Sequence, residues 1–202
     1  MVVINKDEFA ESKRRYMKLL KKTVFIYPTD SIYGLGCDAT NRELVDKVRR
    51  LKKSNIQPFI VIAPSKKWIY DNCIVGPKQA KYVEKLGGKL NMDGEDYAFT
   101  VILRLKNKSA VAKNVTCGLD TIGVRIPAHW FSKVISELGF PVVTTSANAI
   151  GEDFMTNLDN LNDRLKRNVD LIIYEGELES TPSTLIHAED LKENIKIRPR
   201  TK

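Results

Sequence analysis

Three short polar segments of this sequence bring together the residue types that hold anions. Pro28-Thr29-Asp30-Ser31 leads into Tyr33-Gly34-Leu35-Gly36, Arg125-Ile126-Pro127 forms a second, and Thr144-Thr145-Ser146-Ala147-Asn148 a third. Each closes an apolar run with strand character. Hydroxyls and backbone N–H groups in such places hold phosphate or carboxylate oxygens. Glycine lets the backbone approach a ligand closely, and the arginine fork matches a carboxylate. In open α/β sheets ligands bind in the crevice outside the carboxyl ends of strands, and a ligand is expected there. A single turn of hydroxyl residues is ordinary loop chemistry; the conjunction of three is what points to a site.

The elements that must position these segments alternate. Lys6 to Lys22 reads as an amphipathic helix with Phe9, Tyr16, Leu19 and Leu20 on its apolar side. Thr23 to Tyr27 reads as a buried strand closed by Pro28. Thr40-Asn41-Arg42-Glu43 has the form of a capping box, with Thr40 as N-cap and Glu43 at N3, opening a helix to about Lys53. Strands are expected over Phe59–Ile62, Thr100–Leu105, Thr121–Ile126, Pro141–Thr145, Leu171–Tyr174, Thr184–His187 and Ile195–Arg198. Helices are expected after Ser65 around Trp68, from Pro77 toward Gly87-Gly88, over His129–Leu138 and over Thr156–Arg167. Interleaving of this kind predicts one α/β domain over residues 1–202, with a mixed sheet. The last strands lack crossover helices and should pair antiparallel.

Composition sets the outer bounds. The chain has 202 residues, 43% hydrophobic and 29% charged, enough to bury a core without staples. No apolar run reaches the roughly 20 residues of a membrane helix. The first residues carry cations but no apolar h-region, so no secretory signal is expected, and the cytoplasm is the default compartment. Cys37, Cys73 and Cys117 form no C-x-x-C pair, which argues against a disulfide framework or a zinc site. The isolated His129 and His187 make neither a metal site nor a triad, so no metal ligands are expected. Trp68 and Trp130 read as packing aromatics. A net charge of +8 favours anionic partners.

The order of motifs resembles the Sua5/YrdC/YciO family. Tyr27 to Ala39 is similar to its opening motif and Thr121-Ile122-Gly123-Val124-Arg125-Ile126-Pro127 to its second. Thr145-Ser146-Ala147-Asn148 looks like its S-x-N motif, and Pro182-Ser183-Thr184-Leu185-Ile186 and Ile197-Arg198-Pro199 resemble its closing segments. The resemblance covers residues 27 to 199 and corresponds to the YrdC-like domain, without the extra C-terminal domain of longer members. It implies an open twisted sheet with flanking helices and a large concave basic cavity. It further implies an L-threonylcarbamoyladenylate synthase, which joins L-threonine, bicarbonate and ATP, with Mg²⁺ on the phosphates, and serves N6-threonylcarbamoyladenosine formation in tRNA. A tRNA-modifying complex is the implied recipient of the labile product.

Carried onto this sequence, the resemblance gives residue roles. Ser31, Thr100, Arg125, Ser183 and Thr184 are expected to bind threonine. Lys52, Lys53, Ser146, Asn148 and Arg198 are expected to bind ATP, and Arg125 and Lys52 to serve the chemistry. The chain departs from the family over Leu51–Phe59. The usual K-x-R finds Lys52 or Lys53 but no arginine, Gln57 stands where lysine is usual, and the histidine a few residues on is absent. The Pro-Gly-Pro before the Thr100 strand is replaced by Asp96-Tyr97-Ala98. Arg49 and Arg50 are placed to compensate if their helix face turns inward. Two other readings stand beside the enzyme. One is a double-stranded RNA-binding module, disfavoured because the lysines look scattered rather than striped. The other is a diverged paralogue with altered substrate or no turnover.

Overall fold

The apolar runs become strands of a single large sheet in a computed structural model that describes residues 1–54, 56–178, 180–190 and 196–199. Asn55 of the departing segment and Ile195 of the last predicted strand lie outside the described residues. The first half of the chain forms β1 (Val2–Ile4), α1 (Lys6–Glu11), α2 (Lys13–Leu20), β2 (Phe25–Tyr27), β3 (Gly34–Gly36), α3 (Arg42–Lys52), β4 (Ile60–Ile62), α4 (Lys66–Asn72), β5 (Cys73–Ile74) and α5 (Pro77–Val83). The second half forms β6 (Leu90–Met92), β7 (Glu95–Tyr97), β8 (Phe99–Leu105), α6 (Lys113–Thr116), β9 (Thr121–Arg125), α7 (Phe131–Leu138), β10 (Val142–Ser146), α8 (Asp163–Asn168), β11 (Leu171–Ile173), β12 (Thr184–His187) and β13 (Lys196–Arg198). The main sheet runs β1-β11-β2-β3-β10-β4-β9-β8-β12-β13, with β5 added against β8 and a separate β6–β7 hairpin. Parallel and antiparallel pairs mix, and β12 and β13 pair antiparallel as expected.

Several boundaries differ from the sequence reading, each for a local reason. The predicted helix over 6–22 breaks at Ser12 into α1 and α2, and Asn5 with Glu8 forms the capping box that starts it. At α3 the N-cap is Asn41, whose Oδ1 accepts from the backbone N–H of Glu43 and Leu44; the Thr40 hydroxyl donates to Asp38 instead. The predicted helix over 156–167 survives only as α8. Before it, Asn160 accepts from the N–H of Thr156 and Asn157, and Asn157 from Asp159 and Asn160, so side-chain amides outcompete the helical ladder. The β6–β7 hairpin turns on Asp93 and Gly94, both at positive φ, an Asp-Gly signal legible in the sequence and passed over.

Register sorts the side chains by face, because paired residues share a side and neighbours alternate. One face carries Ile26, Leu35, Val61, Val101, Val124, Val143 and Ile172, packed under α3, α4 and α5. The other face is covered over half its width. There α1, α2 and α7 bring Phe9, Tyr16, Leu20, Phe131 and Ile135 onto Ile4, Phe25, Tyr27, Val142, Leu171 and Ile173. From the carboxyl half of β10 onward the same face bears Thr144, Ser146, Ile60 and Arg125 under a cavity rather than a helix, with Thr100 buried farther along it.

Gly34-Leu35-Gly36, assigned to no element in the sequence, is a strand here. A Cβ at Gly36 would lie 2.5 Å from the Val143 carbonyl oxygen and 2.8 Å from the Tyr27 ring. Gly36→Ala is therefore expected to cost about 1–3 kcal/mol of stability through overpacking. A thermal melt that stays at the wild-type midpoint would show that the neighbours yield freely.

Candidate active site

The cavity over the open half-face measures about 200 Å³ and is lined by Thr29, Ser31, Lys52, Ser54, Arg125 and Ser146 among others. The strand-end expectation holds locally but not globally. β2 and β10 run the same way through β3, whereas β9 runs opposite to β10 through β4. Their carboxyl ends therefore fall on different edges of the sheet. The 28–33 segment leaves β2 and crosses to the end of β9, so the site lies on the sheet face instead of in an edge crevice.

At the Arg125 end, a buried ion pair organises the wall. The Arg125 guanidinium donates to the Asp30 carboxylate, and both side chains are nearly inaccessible, at 6% and 4%. The second Asp30 oxygen accepts from the Ala128 backbone N–H at 2.8 Å. Arg125 Nη1 also donates to Ser31 Oγ at 3.4 Å, while its buried Nε has no partner. Thr29 gives its hydroxyl proton to the Ile32 carbonyl at 2.7 Å, so the 3.1 Å contact between Thr29 and Ser31 takes its proton from Ser31. Ser31 therefore presents an acceptor to the cavity. The hydroxyls of Thr100, on β8, and Ser183, just before β12, bond each other at 2.8 Å.

At the other end, Lys52 emerges from the last turn of α3 and is buried to 4% exposure. Its ammonium donates to the Ser146 carbonyl at 2.8 Å, Ser146 Oγ at 3.2 Å and Asn148 Oδ1 at 2.6 Å. The Ser146 hydroxyl donates to the same Asn148 oxygen at 2.6 Å. Burial lowers the Lys52 ammonium from the usual lysine value to about 8, with Glu152 partly opposing. Ser146 and Asn148 thus hold the lysine in place.

The structure brings together Ser31, Thr100, Arg125 and Ser183 at one end and Lys52, Ser146 and Asn148 at the other. Three expected residues stand apart. Lys53 is the left-handed C-cap of α3, exposed, 3.9 Å from Glu152. Thr184 pairs with Phe99, and alternation puts it on the face opposite Thr100. Arg198 sits in register with Leu185 on the outermost described strand, on the cavity's face but off its wall. Arg49 is buried but does not reach the cavity. It lies over the Phe59 ring and donates to the carbonyls of Asn114 and Gln57. The exposed Arg50 lies with it on a separate depression.

Sequence reasoning missed Asp30, although it sits inside the opening motif, and Ser54. With Lys52 as the first residue of K-x-R, Ser54 takes the arginine's place. It is 4% exposed, and its hydroxyl has no partner. Among the described residues no group of three or more His, Cys, Asp or Glu side chains is placed to hold a metal. No described helix is long and apolar enough to cross a membrane.

A mixed α/β sheet with flanking helices leaves half of one face open over a hydroxyl-lined cavity with a buried lysine and a buried arginine, groups chemically suited to anions. The chain belongs to the Sua5/YciO/YrdC family, whose model, described as telomere recombination, matches residues 18–199. A Methanocaldococcus jannaschii protein is 32% identical over 193 residues, covering 90% of this chain and 84% of its own. The threonylcarbamoyl-AMP synthase of Hydrogenovibrio crunogenus is 28% identical over 172 residues, covering 84% and 88%. The solved structure of P. abyssi Sua5 complexed with L-threonine shares the fold, with a TM-score of 0.75 and 22% identity. That match covers 95% of this chain and 56% of Sua5, so the chain spans just over half the length of that protein.

Proposed function

We propose that this protein is a cytoplasmic L-threonylcarbamoyladenylate synthase that makes threonylcarbamoyl-AMP for N6-threonylcarbamoyladenosine in tRNA. The observation that carries the reading is one cavity with Arg125 among hydroxyls at one end and buried Lys52 at the other. Relatives named threonylcarbamoyl-AMP synthase support it.

The threonine nitrogen adds to the carbon of CO₂ supplied by bicarbonate and loses a proton, giving a carbamate. A carbamate oxygen then bonds to the α-phosphorus of ATP as the bond to pyrophosphate breaks. Carbamates are short-lived, so this oxygen must form beside the phosphate and away from water. Arg125, with its free Nε, would hold the threonine carboxylate or the carbamate, and Ser31 would accept from the nitrogen. Thr100 and Ser183 would border the side chain. Lys52, oriented by Ser146 and Asn148, would meet charge building on the phosphates. Asp30 is committed to Arg125, and no carboxylate lines the cavity among the described residues, so Mg²⁺ would arrive on the nucleotide. A second compartment of about 340 Å³ adjoins through Pro58, Phe59 and Ile60 and offers an apolar floor for the nucleoside.

The test is incubation with ATP, Mg²⁺, bicarbonate and L-threonine, following pyrophosphate and the adenylate. Release no faster with threonine than with serine or glycine would exclude the assignment. Ser54 supports a variant of this reading in which the triphosphate is held weakly, since Lys52 is the one cation of the described wall without a carboxylate partner. Ser54→Arg is expected to lower the KM for ATP about tenfold, equal to roughly 1.4 kcal/mol. An unchanged KM would place the phosphates elsewhere.

A further inference from the structure

The chain's surplus charge is concentrated, contrary to the scatter suggested by the sequence. Residues 13–22 contain six Lys or Arg and no acid, so ten residues carry +6 of the net +8; the rest of the chain sets 27 cations against 25 acids. Those residues form α2 and the turn after it. The apolar side of α2 is spent in the core, with Tyr16 and Leu20 buried at 8% and 0%. The other side is a row of cations. Arg14, Lys18 and Lys22 recur every four residues, about 6 Å apart along the axis, with Arg15 and Lys21 beside them. Lys13 pairs with Glu137 at 2.7 Å, and Arg15 lies over the Tyr16 ring. Arg14, Lys18, Lys21 and Lys22 have no ion-pair partner among the described residues. Arg14, Arg15, Lys18 and Lys22 line a groove of about 1090 Å³ between α2 and the β1 edge. The groove's acids are Glu11 and Asp170, and Asp170 is already bonded to Lys47 at 3.1 Å.

We infer that α2 is a docking surface for the phosphodiester backbone of RNA, at the β1 edge of the sheet and separate from the open cavity. Like charges at this spacing repel within a helix, and no ion pair among the described residues holds Arg14, Lys18, Lys21 or Lys22. A rigid row of cations along a groove suits a row of phosphates, with no demand on sequence. An anionic membrane is the poorer fit, because a surface-lying helix needs a free apolar face and this one has buried its own. The choice of RNA over DNA rests on the proposed synthase reading; the surface itself does not.

The experiment measures binding of the full chain to a transcribed tRNA by fluorescence anisotropy over a range of salt. A R14Q/K18Q/K21Q/K22Q variant is compared with K78Q/K81Q/K85Q/K89Q, which removes as many exposed lysines elsewhere. The α2 variant is expected to lose at least tenfold in affinity, and its log K against log salt slope to fall by about 3, near 0.7–0.9 per phosphate contact. The control should keep both. Unchanged tRNA affinity in the α2 variant, or equal loss in the two variants, would overturn the inference. So would tighter binding to duplex DNA or to phosphatidylserine vesicles than to tRNA. Pyrophosphate release is read on the same samples. Binding through α2 by a chain that releases none removes the synthase reading alone, and release without α2-dependent binding removes the docking surface alone.

Discussion

Arg125→Met is expected to cut threonine-dependent pyrophosphate release by at least a hundredfold, about 2.7 kcal/mol of barrier. The substitution removes the one cation among the hydroxyls of Ser31, Thr100 and Ser183, and with it the free Nε. It also strands Asp30, which is 4% exposed and loses its counter-charge. Breaking a buried pair from one side costs about 3–5 kcal/mol, so the single variant will melt early and its inactivity alone would be ambiguous. Asp30→Asn combined with Arg125→Met separates the two effects. The double variant should recover most of the lost stability, because no unpaired charge remains, and should stay inactive. Arg125→Lys should fold and recover little activity, since an ammonium cannot grip Asp30 and a ligand in one plane. A folded double variant with near wild-type turnover would remove Arg125 from the chemistry and leave it a structural partner of Asp30.

Lys52 gives the second large effect, visible in pH dependence. Its folded-state value of about 8 lies below the usual lysine value of 10.5. For a base depressed in this way the charged form is the disfavoured one. Below pH 8 the buried ammonium costs about 3 kcal/mol of stability. That cost shrinks as pH rises from 8 toward 10.5, where the unfolded lysine also loses its proton. Affinity for the nucleotide moves the other way, because the ammonium is what meets the phosphates. Between pH 7 and 9 the KM for ATP should rise in the wild type while urea unfolding shows a more stable fold. Lys52→Met should bind ATP poorly at every pH and lose this pH dependence. An ATP KM that is flat from pH 7 to 9 in the wild type would mean that Lys52 serves only to hold Ser146 and Asn148.

Much of the fold is legible in the sequence because its signals are local. Val24 to Tyr27, Phe99 to Leu105 and Thr121 to Arg125 announce themselves by β-branched and aromatic content, and Pro77 and Gly139 mark helix ends. Where local signals compete, the reading fails. The asparagines at 157 and 160 turn the chain before α8, and Asn41 rather than Thr40 caps α3. The Gly34 strand hides because its glycines, needed to admit the Tyr27 ring and the Val143 carbonyl, lower strand propensity.

The sequence by itself determined the family, the order of its motifs and the residues worth watching: Ser31, Arg125, Ser146, Asn148 and Ser183. Tertiary structure alone decided what each of them faces. Thr184 stands beside Ser183 in the chain and on the other side of the sheet, since alternation is local while the face belonging to each parity depends on which strands pair. Asp30 and Arg125 are 95 residues apart, and their mutual neutralisation follows from a loop that crosses the sheet face. Lys52 is held by Ser146 and Asn148 from 94 and 96 residues away, and Ser54 is left buried without a partner. Charge, burial and hydrogen bonding are properties of an environment, and here residues distant in the chain supply that environment.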